Sequence, residues 1–511
     1  MIDFTPIARP IFARRIAALD REAARGIAEV QLGQLRRILA KAAKTRYGAG
    51  LKITPDMSYD QFRAQVPVVE YEDLRPWVMR MVGGEPDVLW PGVTRRFAQS
   101  SGTSGGKSKY IPLTSDSLRL NHYQGGFDVV AHYLDMCPGS RVFGGKAFIL
   151  GGSFANEVAH LPRGVKVGDL SAHLIDKINP LVNSLFRVPD KKTALISDWS
   201  EKLPRLVEAA ARQDITNISG VPSWFLKVLK SVIEYRGART IHDVWPNLEV
   251  FFHGGIAFGP YRQQYAAITD PERMRFIETY NASEGFFAMQ TSRSGSALEM
   301  LLDGGVFCEF LPIAQIDAEE KHPLAPWEVE PGRTYALVIT SCNGLMRYII
   351  GDTVRICSTD PLTITIAGRT HAFINAFGEE VMVYNTDRAL EHACAEHRCT
   401  VRDYHVYPVF ADTRSVAHHQ WIVEWDTPPA DEDAFMSTLD LALQDENSDY
   451  QAKRQSSIFL NPPGLTVVAA GTFDRYLAST GRLGGQRKVP RLSNSGAIAE
   501  RILNTATKTD K

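Results

Sequence analysis

Residues 97–112 read FAQSSGTSGGKSKYIP, and no other stretch of the chain has a comparable composition. The seven positions from Ser100 to Gly106 hold three glycines and four hydroxyl residues, and Lys107 and Lys109 follow. Glycines allow successive backbone N–H groups to turn toward one anion, and small hydroxyls add donors without bulk. Because the lysines supply positive charge, this composition predicts a loop that binds a triphosphate.

Two common phosphate-binding motifs do not fit the loop. The ATPase motif GxxxxGK[ST] matches at Gly106-Lys107-Ser108, but Ser101 occupies its first glycine position. The dinucleotide motif GxGxxG fails because Ser104 stands at its second glycine. A flexible Gly/Ser linker has a similar composition. The run is short and lies between apolar, strand-like residues, which favours a binding loop over a linker.

Length and composition limit the class of protein. The chain has 511 residues, so two or more packed units are expected. It is 44% apolar and 23% charged with a formal net charge of −1, which argues against a polyanion-binding surface. Its six cysteines form no CxxC pair, so reduced thiols are expected rather than a zinc site or disulfides. Because no apolar run approaches the ~18 residues of a membrane span, and charges interrupt the N-terminal segment, we expect a cytoplasmic protein with no membrane or nucleic-acid partner.

Hydrophobic periodicity predicts a mixed α/β fold. Helical spacing covers residues 7–45 and, in two pieces, residues 193–236. Buried strands are predicted in LEVFFHGG (248–255) and RFIETYNASEG (275–285), each of which runs into a glycine or polar turn. TYALVITSCNGLMRYIIGDTVRI (334–356) has the pattern of two paired strands.

The pattern changes near residue 375. Beyond it, a helix near 385–397 and two further strands form a compact α+β stretch. The sequence therefore predicts a large α/β unit of roughly 370 residues and a smaller α+β unit, joined near 369–372.

The loop resembles the phosphate loop of acyl-adenylating enzymes, the superfamily of acyl-CoA synthetases, peptide-synthetase adenylation domains and luciferases. Its details are similar to one branch, the auxin-responsive Gretchen Hagen family of acyl-acid amido synthetases, in its bacterial form. Four more segments match that family in order: YNASEG (280–285), GLMRYIIGD (344–352), the stretch 368–379, and QRKVPR (486–491). Together the matches span about residues 98–491.

The resemblance implies an adenylate-forming fold with ATP and Mg²⁺ as cofactors. A large N-terminal domain, residues 1–371, would combine α/β subdomains with a β-barrel and bind ATP and the acyl group. A small mobile α+β domain, residues 372–511, would carry the catalytic lysine and act on the acceptor. The implied reaction is that of a carbon–nitrogen ligase: a carboxylic acid becomes an acyl-adenylate, and an amine or amino acid then takes the acyl group. MgATP would bind between the domains, with a hinge at about His371–Ala372.

Two residues are predicted to act in catalysis. Glu284 is the predicted magnesium ligand, since Mg²⁺ usually takes one or two carboxylates and completes its shell with water and phosphate. A solvated loop carboxylate is the alternative. On the resemblance, Lys488 is the mobile cation that stabilises charge between the carboxylate and the α-phosphate. Its neighbours Arg487 and Arg491 remain candidates, and so does a simple basic surface loop.

The remaining site residues are assigned to the nucleotide. Tyr280 would stack on adenine, or else be a core tyrosine. Asp352 would accept both ribose hydroxyls, or else form a turn. Gly254 and Gly255 would let the backbone approach the ligand, or else form a plain tight turn. Arg369 would reach the ribose or a phosphate. The predicted ATP-binding residues are Ser100, Ser101, Gly102, Thr103, Ser104, Gly105, Lys109, Gly254, Gly255, Tyr280, Ala282, Ser283, Asp352 and Arg369.

Some questions stay open at the level of sequence. Ile349 stands where the family pattern frequently has arginine, although Arg347 is kept. A coenzyme A ligase, with a thiol as acceptor, would share the first half-reaction. A nucleotide-binding module without turnover is a further alternative. The sequence identifies neither the acid nor the amine.

Overall fold

The computed structural model describes residues 2–100, 108–154, 156, 158, 160–256, 258–292, 295–316, 318–370, 373–374, 376, 379, 381–410, 417–455, 460–479 and 489–506. The chain divides into two compact units. One comprises Met1–Ile256 and Ala266–Thr365, and the other comprises Ala257–Tyr265 and Ile366–Lys511. A short segment from the middle of the chain, Ala257–Tyr265, therefore belongs to the second unit. No helix in the described ranges combines the length and the hydropathy needed to span a bilayer.

Helices open the chain, helices and strands are interspersed between residues 96 and 281, and strands dominate from residue 286 to residue 382. The helices are α1 Thr5–Ala23, α2 Ile27–Ala42, α3 Arg46–Gly50, α4 Tyr59–Gln65, α5 Tyr71–Val82, α6 Tyr123–Met136, α7 Leu170–Lys177, α8 Pro180–Phe186, α9 Lys191–Ala194, α10 Trp199–Ala211, α11 Pro222–Arg236, α12 Ile241–Val244, α13 Arg262–Ile268, α14 Val383–His397, α15 Glu432–Glu446, α16 Ser448–Gln455, α17 Thr472–Ser479 and α18 Ala497–Ala506. The strands are β1 Arg96–Ser100, β2 Lys109–Pro112, β3 Lys146–Ile149, β4 Lys166–Gly168, β5 Arg187–Val188, β6 Ile215–Gly220, β7 Val250–Gly254, β8 Arg275–Asn281, β9 Phe286–Met289, β10 Leu298–Met300, β11 Val306–Pro312, β12 Thr334–Ser341, β13 Tyr348–Thr359, β14 Leu362–Arg369, β15 Phe373–Ile374, β16 Val381–Met382, β17 Thr400–Val409, β18 His418–Thr427 and β19 Gly464–Val468.

One large sheet dominates the structure. Its eleven strands run in the order β11-β12-β13-β14-β10-β9-β8-β7-β6-β3-β5. The five strands from β8 to β5 are parallel, and the pairs β8–β9, β9–β10, β10–β14, β11–β12 and β12–β13 are antiparallel. A separate sheet has the order β2-β1-β4. The predicted α/β class is confirmed, and the antiparallel strands belong to the same sheet as the parallel ones.

The parallel strands are short apolar runs, because both of their faces are covered. Val250 and Phe251 of β7 have no exposed surface, and Ile218 of β6 is equally buried. Runs of this kind, rather than alternating patterns, are typical of parallel sheets packed on both sides.

The N-terminal helices cover part of this unit, as the periodicity predicts. Phe12 of α1 stacks on Phe127 of α6 with ring centroids 4.4 Å apart. Arg15 of α1 donates to both carboxylate oxygens of Asp128, at 2.8 Å and 2.7 Å. The first helix is therefore held by both apolar packing and a bidentate ion pair.

The second unit has its own core around the three-stranded sheet β17-β18-β19. Tyr404 of β17 and Trp421 of β18 are fully buried and stack with ring centroids 5.3 Å apart. Leu390 of α14 and Leu439 of α15 pack against the same core.

A buried ion pair crosses the antiparallel half of the large sheet. The Arg347 Nε and Nη2 atoms donate to the two Glu309 carboxylate oxygens at 3.0 Å and 2.9 Å. Arg347 Nη1 donates to the carbonyl oxygens of Arg63 and Val66 at 2.9 Å and 2.8 Å. The Tyr59 hydroxyl also donates to Glu309, at 3.1 Å. The arginine of the GLMRYIIGD segment thus anchors the N-terminal helical region to the sheet.

Removing one partner of this pair leaves a buried charge uncompensated. We expect Arg347→Met or Glu309→Leu alone to lower the free energy of unfolding by about 3–5 kcal/mol. The double variant should lose less than the sum of the two, because neither charge remains. Urea unfolding of the three variants measures the coupling, with the exposed pair Arg205–Glu201 as control. Additive losses in the double variant would contradict the expectation.

Candidate active site

The strands β1 and β2 pair as an antiparallel hairpin. The residues between them in the chain, 101–108, belong to the predicted phosphate-binding stretch and are called the glycine-serine loop below. In the antiparallel register Ser100 lies opposite Lys109, so these two predicted residues stand at the two ends of the loop. The Gln99 side chain donates to the Ser108 hydroxyl at 3.0 Å across the same point. The predicted ligands Ser101, Gly102, Thr103, Ser104 and Gly105 lie outside the described residues.

One tyrosine joins the hairpin to the predicted metal ligand. Lys109 Nζ lies 3.3 Å from the Tyr348 hydroxyl, which in turn lies 3.4 Å from Glu284 Oε1. Lys109 Nζ also lies 5.7 Å from the centroid of the Tyr71 ring. Tyr348 is fully buried and Glu284 is only 6% exposed, so this carboxylate is not a solvated loop residue. Tyr348 lies within the GLMRYIIGD segment, but nothing in the sequence distinguished it from a core tyrosine.

Glu284 belongs to a tight turn between β8 and β9. The turn is closed by Ala282 N donating to Gly285 O at 2.8 Å and by the reciprocal bond at 3.3 Å. Asn343 Nδ2 donates to the Glu284 carbonyl oxygen at 3.0 Å. The buried Asn121 holds Phe286, the first residue after the turn, by accepting from its N–H at 2.6 Å and donating to its carbonyl at 3.0 Å. Two asparagines that the sequence did not single out therefore fix the turn that carries Glu284 and the predicted Ser283.

The predicted nucleotide residues Tyr280 and Asp352 are in direct contact. The Tyr280 hydroxyl donates to Asp352 Oδ2 at 2.9 Å. The Tyr280 ring is 4% exposed and packs on Phe287 with centroids 5.2 Å apart. Asp352 follows Gly351, whose φ of 91° is readily adopted only by glycine.

The two predicted glycines stand at the end of β7. Gly254 pairs with Thr279 of β8, and a Cβ atom at Gly254 would collide with the Thr279 carbonyl oxygen. Gly255 has a φ of 84°, so it makes the turn that follows. The first glycine is required by close packing and the second by backbone conformation.

Residues of the second unit are described only in part. Arg369 is the last residue of β14 and is half-buried. Lys488, Arg487 and the hinge at His371–Ala372 lie outside the described residues. Arg491 is held in an ion pair with Asp403, and its guanidinium lies 4.4 Å from the centroid of the Tyr404 ring.

The ligands available for a metal ion are few. In the described ranges no group of three or more His, Cys, Asp or Glu side chains is arranged to hold a metal. Glu284 is one carboxylate on a fixed turn, linked through Tyr348 to Lys109 at the start of β2. This arrangement suits a magnesium ion that arrives with a nucleotide and obtains its other ligands from phosphate and water.

Comparison with solved structures shows the class of fold. The chain matches a structure described as GH3.15 acyl acid amido synthetase with a TM-score of 0.75, at 18% identity over 96% of this chain and 95% of the other. It also matches a 2-hydroxyisobutyryl-CoA ligase in the postadenylation state in complex with 2-HIB-AMP, with a TM-score of 0.58, at 13% identity over 94% and 92%. The fold is that of the adenylate-forming enzymes, as predicted.

Sequence comparison defines the family within that class. The N-terminal, central and C-terminal domains of the GH3 family match residues 21–205, 299–369 and 384–497. The chain belongs to the GH3 family, which confirms the resemblance found in its motifs.

Relatives that the chain matches include plant enzymes. One is the indole-3-acetic acid-amido synthetase GH3.3 of Arabidopsis thaliana, 24% identical over 94% of this chain and 91% of the relative. Another is the indole-3-acetic acid-amido synthetase GH3.8 of Oryza sativa subsp. indica, 24% identical over 92% and 89%.

A histidine beside the hairpin supplies a pH-sensitive contact. Burial is the main cause that lowers the pKa of His173 to about 4. Its Nε2 donates to the Phe97 carbonyl oxygen of β1 at 2.9 Å, and Arg96 Nη1 lies 3.4 Å from Nδ1. The neutral ring therefore links α7 to the strand that leads into the glycine-serine loop.

Acidification should weaken this contact. The unfolded histidine has a pKa near 6.5, so between pH 6.5 and 4 the unfolded chain binds more protons than the folded chain. We expect the free energy of unfolding to fall as the pH drops through that window, and to fall less steeply in His173→Gln. Thermal melts across the window test this, with the exposed His322→Gln as control. Equal slopes in wild type and His173→Gln would contradict it.

Loss of Asn121 should loosen the turn that carries Glu284. Asn121→Ala leaves buried backbone groups of Phe286 and Gly304 without their partner. We expect the free energy of unfolding to drop by roughly 1–3 kcal/mol or more. Urea unfolding measures the loss, and the exposed Asn247→Ala is the control. An Asn121 variant as stable as the control would show that the turn does not depend on this side chain.

Proposed function

We propose that this chain is an ATP-dependent ligase that converts a carboxylic acid to an acyl-adenylate and transfers the acyl group to an amine or amino acid. One observation carries the proposal: a fixed row of polar groups, Lys109, Tyr348 and Glu284, which begins at the start of β2. The contact between Tyr280 and Asp352 joins β8, which precedes the Glu284 turn, to β13, which carries Tyr348.

ATP would occupy the edge of the sheet where these residues meet. Ser100 and Lys109 flank the loop that would hold the phosphates. Asp352 would accept the ribose hydroxyls, and the Tyr280 hydroxyl orients its carboxylate. Since the Tyr280 ring is buried against Phe287, we assign Tyr280 a positioning role for Asp352.

Magnesium would be bound by Glu284 together with the phosphates. The ion would neutralise charge on the triphosphate when bound. Tyr348 and the bond from Asn343 to the Glu284 backbone keep the carboxylate in place, so little reordering is needed when the nucleotide arrives.

Adenylation on this site depends on position and charge. The acid attacks the α-phosphorus in line and pyrophosphate leaves, so the protein has no covalent nucleophile to supply. Lys109 offers a fixed positive charge near the phosphates. We assign the residues 1–371 to ATP and acid binding and the residues 372–511 to supplying Lys488. The pairing of Arg491 with Asp403 favours Lys488 or Arg487 over Arg491 as the catalytic cation.

The names of the family relatives favour an amine over a thiol as the acceptor of the acyl group. The relatives named above are amido synthetases, whereas the coenzyme A ligase shares the fold at 13% identity. Incubation with ATP, an acid and either an amine or coenzyme A separates the two, since one gives an amide and the other a thioester. ATP binding without pyrophosphate release would favour a non-catalytic module.

We place the reaction in the cytoplasm as part of the proposal. All six cysteines are free thiols, which fits a reducing compartment.

Acid-dependent exchange of labelled pyrophosphate into ATP tests the first half-reaction. Across a panel of carboxylic acids, we expect exchange with the wild type and about a 10²-fold lower rate in Glu284→Gln, which loses one preorganised charge. Lys488→Ala should also be slower.

The exposed Glu272→Gln is the matched control for Glu284→Gln and should exchange like the wild type. No exchange with any acid, despite measurable ATP binding, would contradict the proposed reaction. Full exchange in Glu284→Gln would remove Glu284 from the mechanism.

A further inference from the structure

Two basic residues of the first unit are buried. Arg187, at the start of β5, is 5% exposed, and Lys202, in the first turns of α10, is 3% exposed. Lysine and arginine are almost never fully buried unless they are paired. Neither of these two forms an ion pair with a carboxylate of the described residues, so their charges call for another explanation.

Most of their hydrogen-bond donors lack an acceptor among the described residues. Arg187 Nη1 donates to Asn183 Oδ1 at 2.5 Å, but Nε and Nη2 are buried without a partner in the described ranges. Lys202 Nζ donates to the Gly151 carbonyl oxygen at 2.5 Å, which uses one of its three protons. Buried polar groups are nearly always satisfied, and an unsatisfied one points to a missing water or ion.

The two cations also influence each other. Burial is the main cause that lowers the pKa of Lys202 to about 8, and the positive charge of Arg187 lowers it further. The negative charge of Asp169 raises the pKa of Lys202, and that of Asp190 raises the pKa of Arg187. Neither carboxylate forms an ion pair with these cations in the described ranges. Each carboxylate is already used by backbone N–H groups: Asp169 accepts from Ser153, and Asp190 caps α9. Arg187 and Lys202 therefore have more hydrogen-bond donors than there are acceptors around them in the described ranges, as expected where an anion binds.

Lys202 binds its acceptor, Gly151, beyond the carboxyl end of β3, at the edge of the sheet where the proposed adenylation site lies. Arg187 lies on the neighbouring strand β5, opposite Ala147 of β3. Ile149 of β3 is level with Ser219 of β6, which is level with Phe252 of β7. Gly151 follows β3 by two residues, and Gly254 is the last residue of β7. Ligands of open α/β sheets bind at this carboxyl edge.

We propose that Arg187 and Lys202 bind a carboxylate of one of the substrates, separate from the carboxylate that is activated. This inference rests on the proposed function. The planar guanidinium presents Nε and Nη2 side by side, which matches the two oxygens of a carboxylate. The Lys202 ammonium adds a third donor. The carboxylate belongs either to an acid substrate with two carboxyl groups or to an amino acid acceptor.

Binding is the first test, because it does not require turnover. Melting temperatures are measured with dicarboxylates of increasing length, such as glutarate, each beside the monocarboxylate of equal length at equal ionic strength. A second series uses amino acids beside their amides. The wild type should show a saturable rise with a carboxylate in one series, and Arg187→Met and Lys202→Met should show about tenfold weaker binding or less. Arg205→Met, an exposed change on α10, should behave like the wild type.

Turnover then identifies the source of the carboxylate. For an acid substrate, pyrophosphate exchange should favour the dicarboxylic over the monocarboxylic acid by about tenfold or more, and this ratio should fall toward one in Arg187→Met. For an amino acid acceptor, Arg187→Met should leave the ratio of the pyrophosphate exchange rates unchanged. The ratio of the rates of amide formation, with the amino acid and with its amide as acceptors, should instead fall toward one.

Stability without ligand distinguishes this role from a structural one. A cation kept for its contacts with Asn183 or Gly151 would make Arg187→Met and Lys202→Met less stable than the wild type. A cation kept for a ligand costs stability when the ligand is absent, so both variants should melt at or above the wild-type temperature. The absence of carboxylate-dependent stabilisation in either series, or its persistence in Arg187→Met, would overturn the proposal. Failure of pyrophosphate exchange with all acids would instead refute the proposed reaction and leave the binding result standing.

Discussion

The register of the parallel strands is the constraint on which the site depends. Because β6, β7 and β8 run side by side in one direction, their carboxyl ends reach a common edge, and the turns after them meet there. Gly254 permits this close approach, since a side chain would collide with the neighbouring carbonyl oxygen. The turn that carries Glu284 follows directly from β8. Local backbone geometry, more than any single side chain, therefore decides where the polar residues gather.

Much of the fold followed from patterns within short windows. The strands around Asn343–Gly344, the helix near 385–397 and the N-terminal helices are all present, because each has a strong local period. The strand β6 lies inside residues 193–236, where the periodicity predicts two helical pieces and no strand. Its alternation is hidden because a parallel strand is buried on both faces and adjoins a helix that begins at Pro222.

The candidate site was predictable where residues form a motif and not where they act through tertiary contact. Glu284 and Asp352 lie in segments that resemble family motifs. Tyr348 and Asn121 gain their roles from partners 64 and 165 residues away, respectively. Arg347 lies inside a segment that resembles a nucleotide motif, but its guanidinium forms an ion pair with Glu309. The sequence alone does not identify this partner.

The ion pair between Arg347 and Glu309 also has a thermal consequence. Hydration of charged groups becomes less favourable as temperature rises, so the cost of removing these two charges from water falls on heating. The pair is therefore a better cross-link for the sheet and the N-terminal helices in warm solution than in cold solution. On cooling, the cost of keeping the Arg347 guanidinium dehydrated rises, although it still donates to the carbonyl oxygens of Arg63 and Val66.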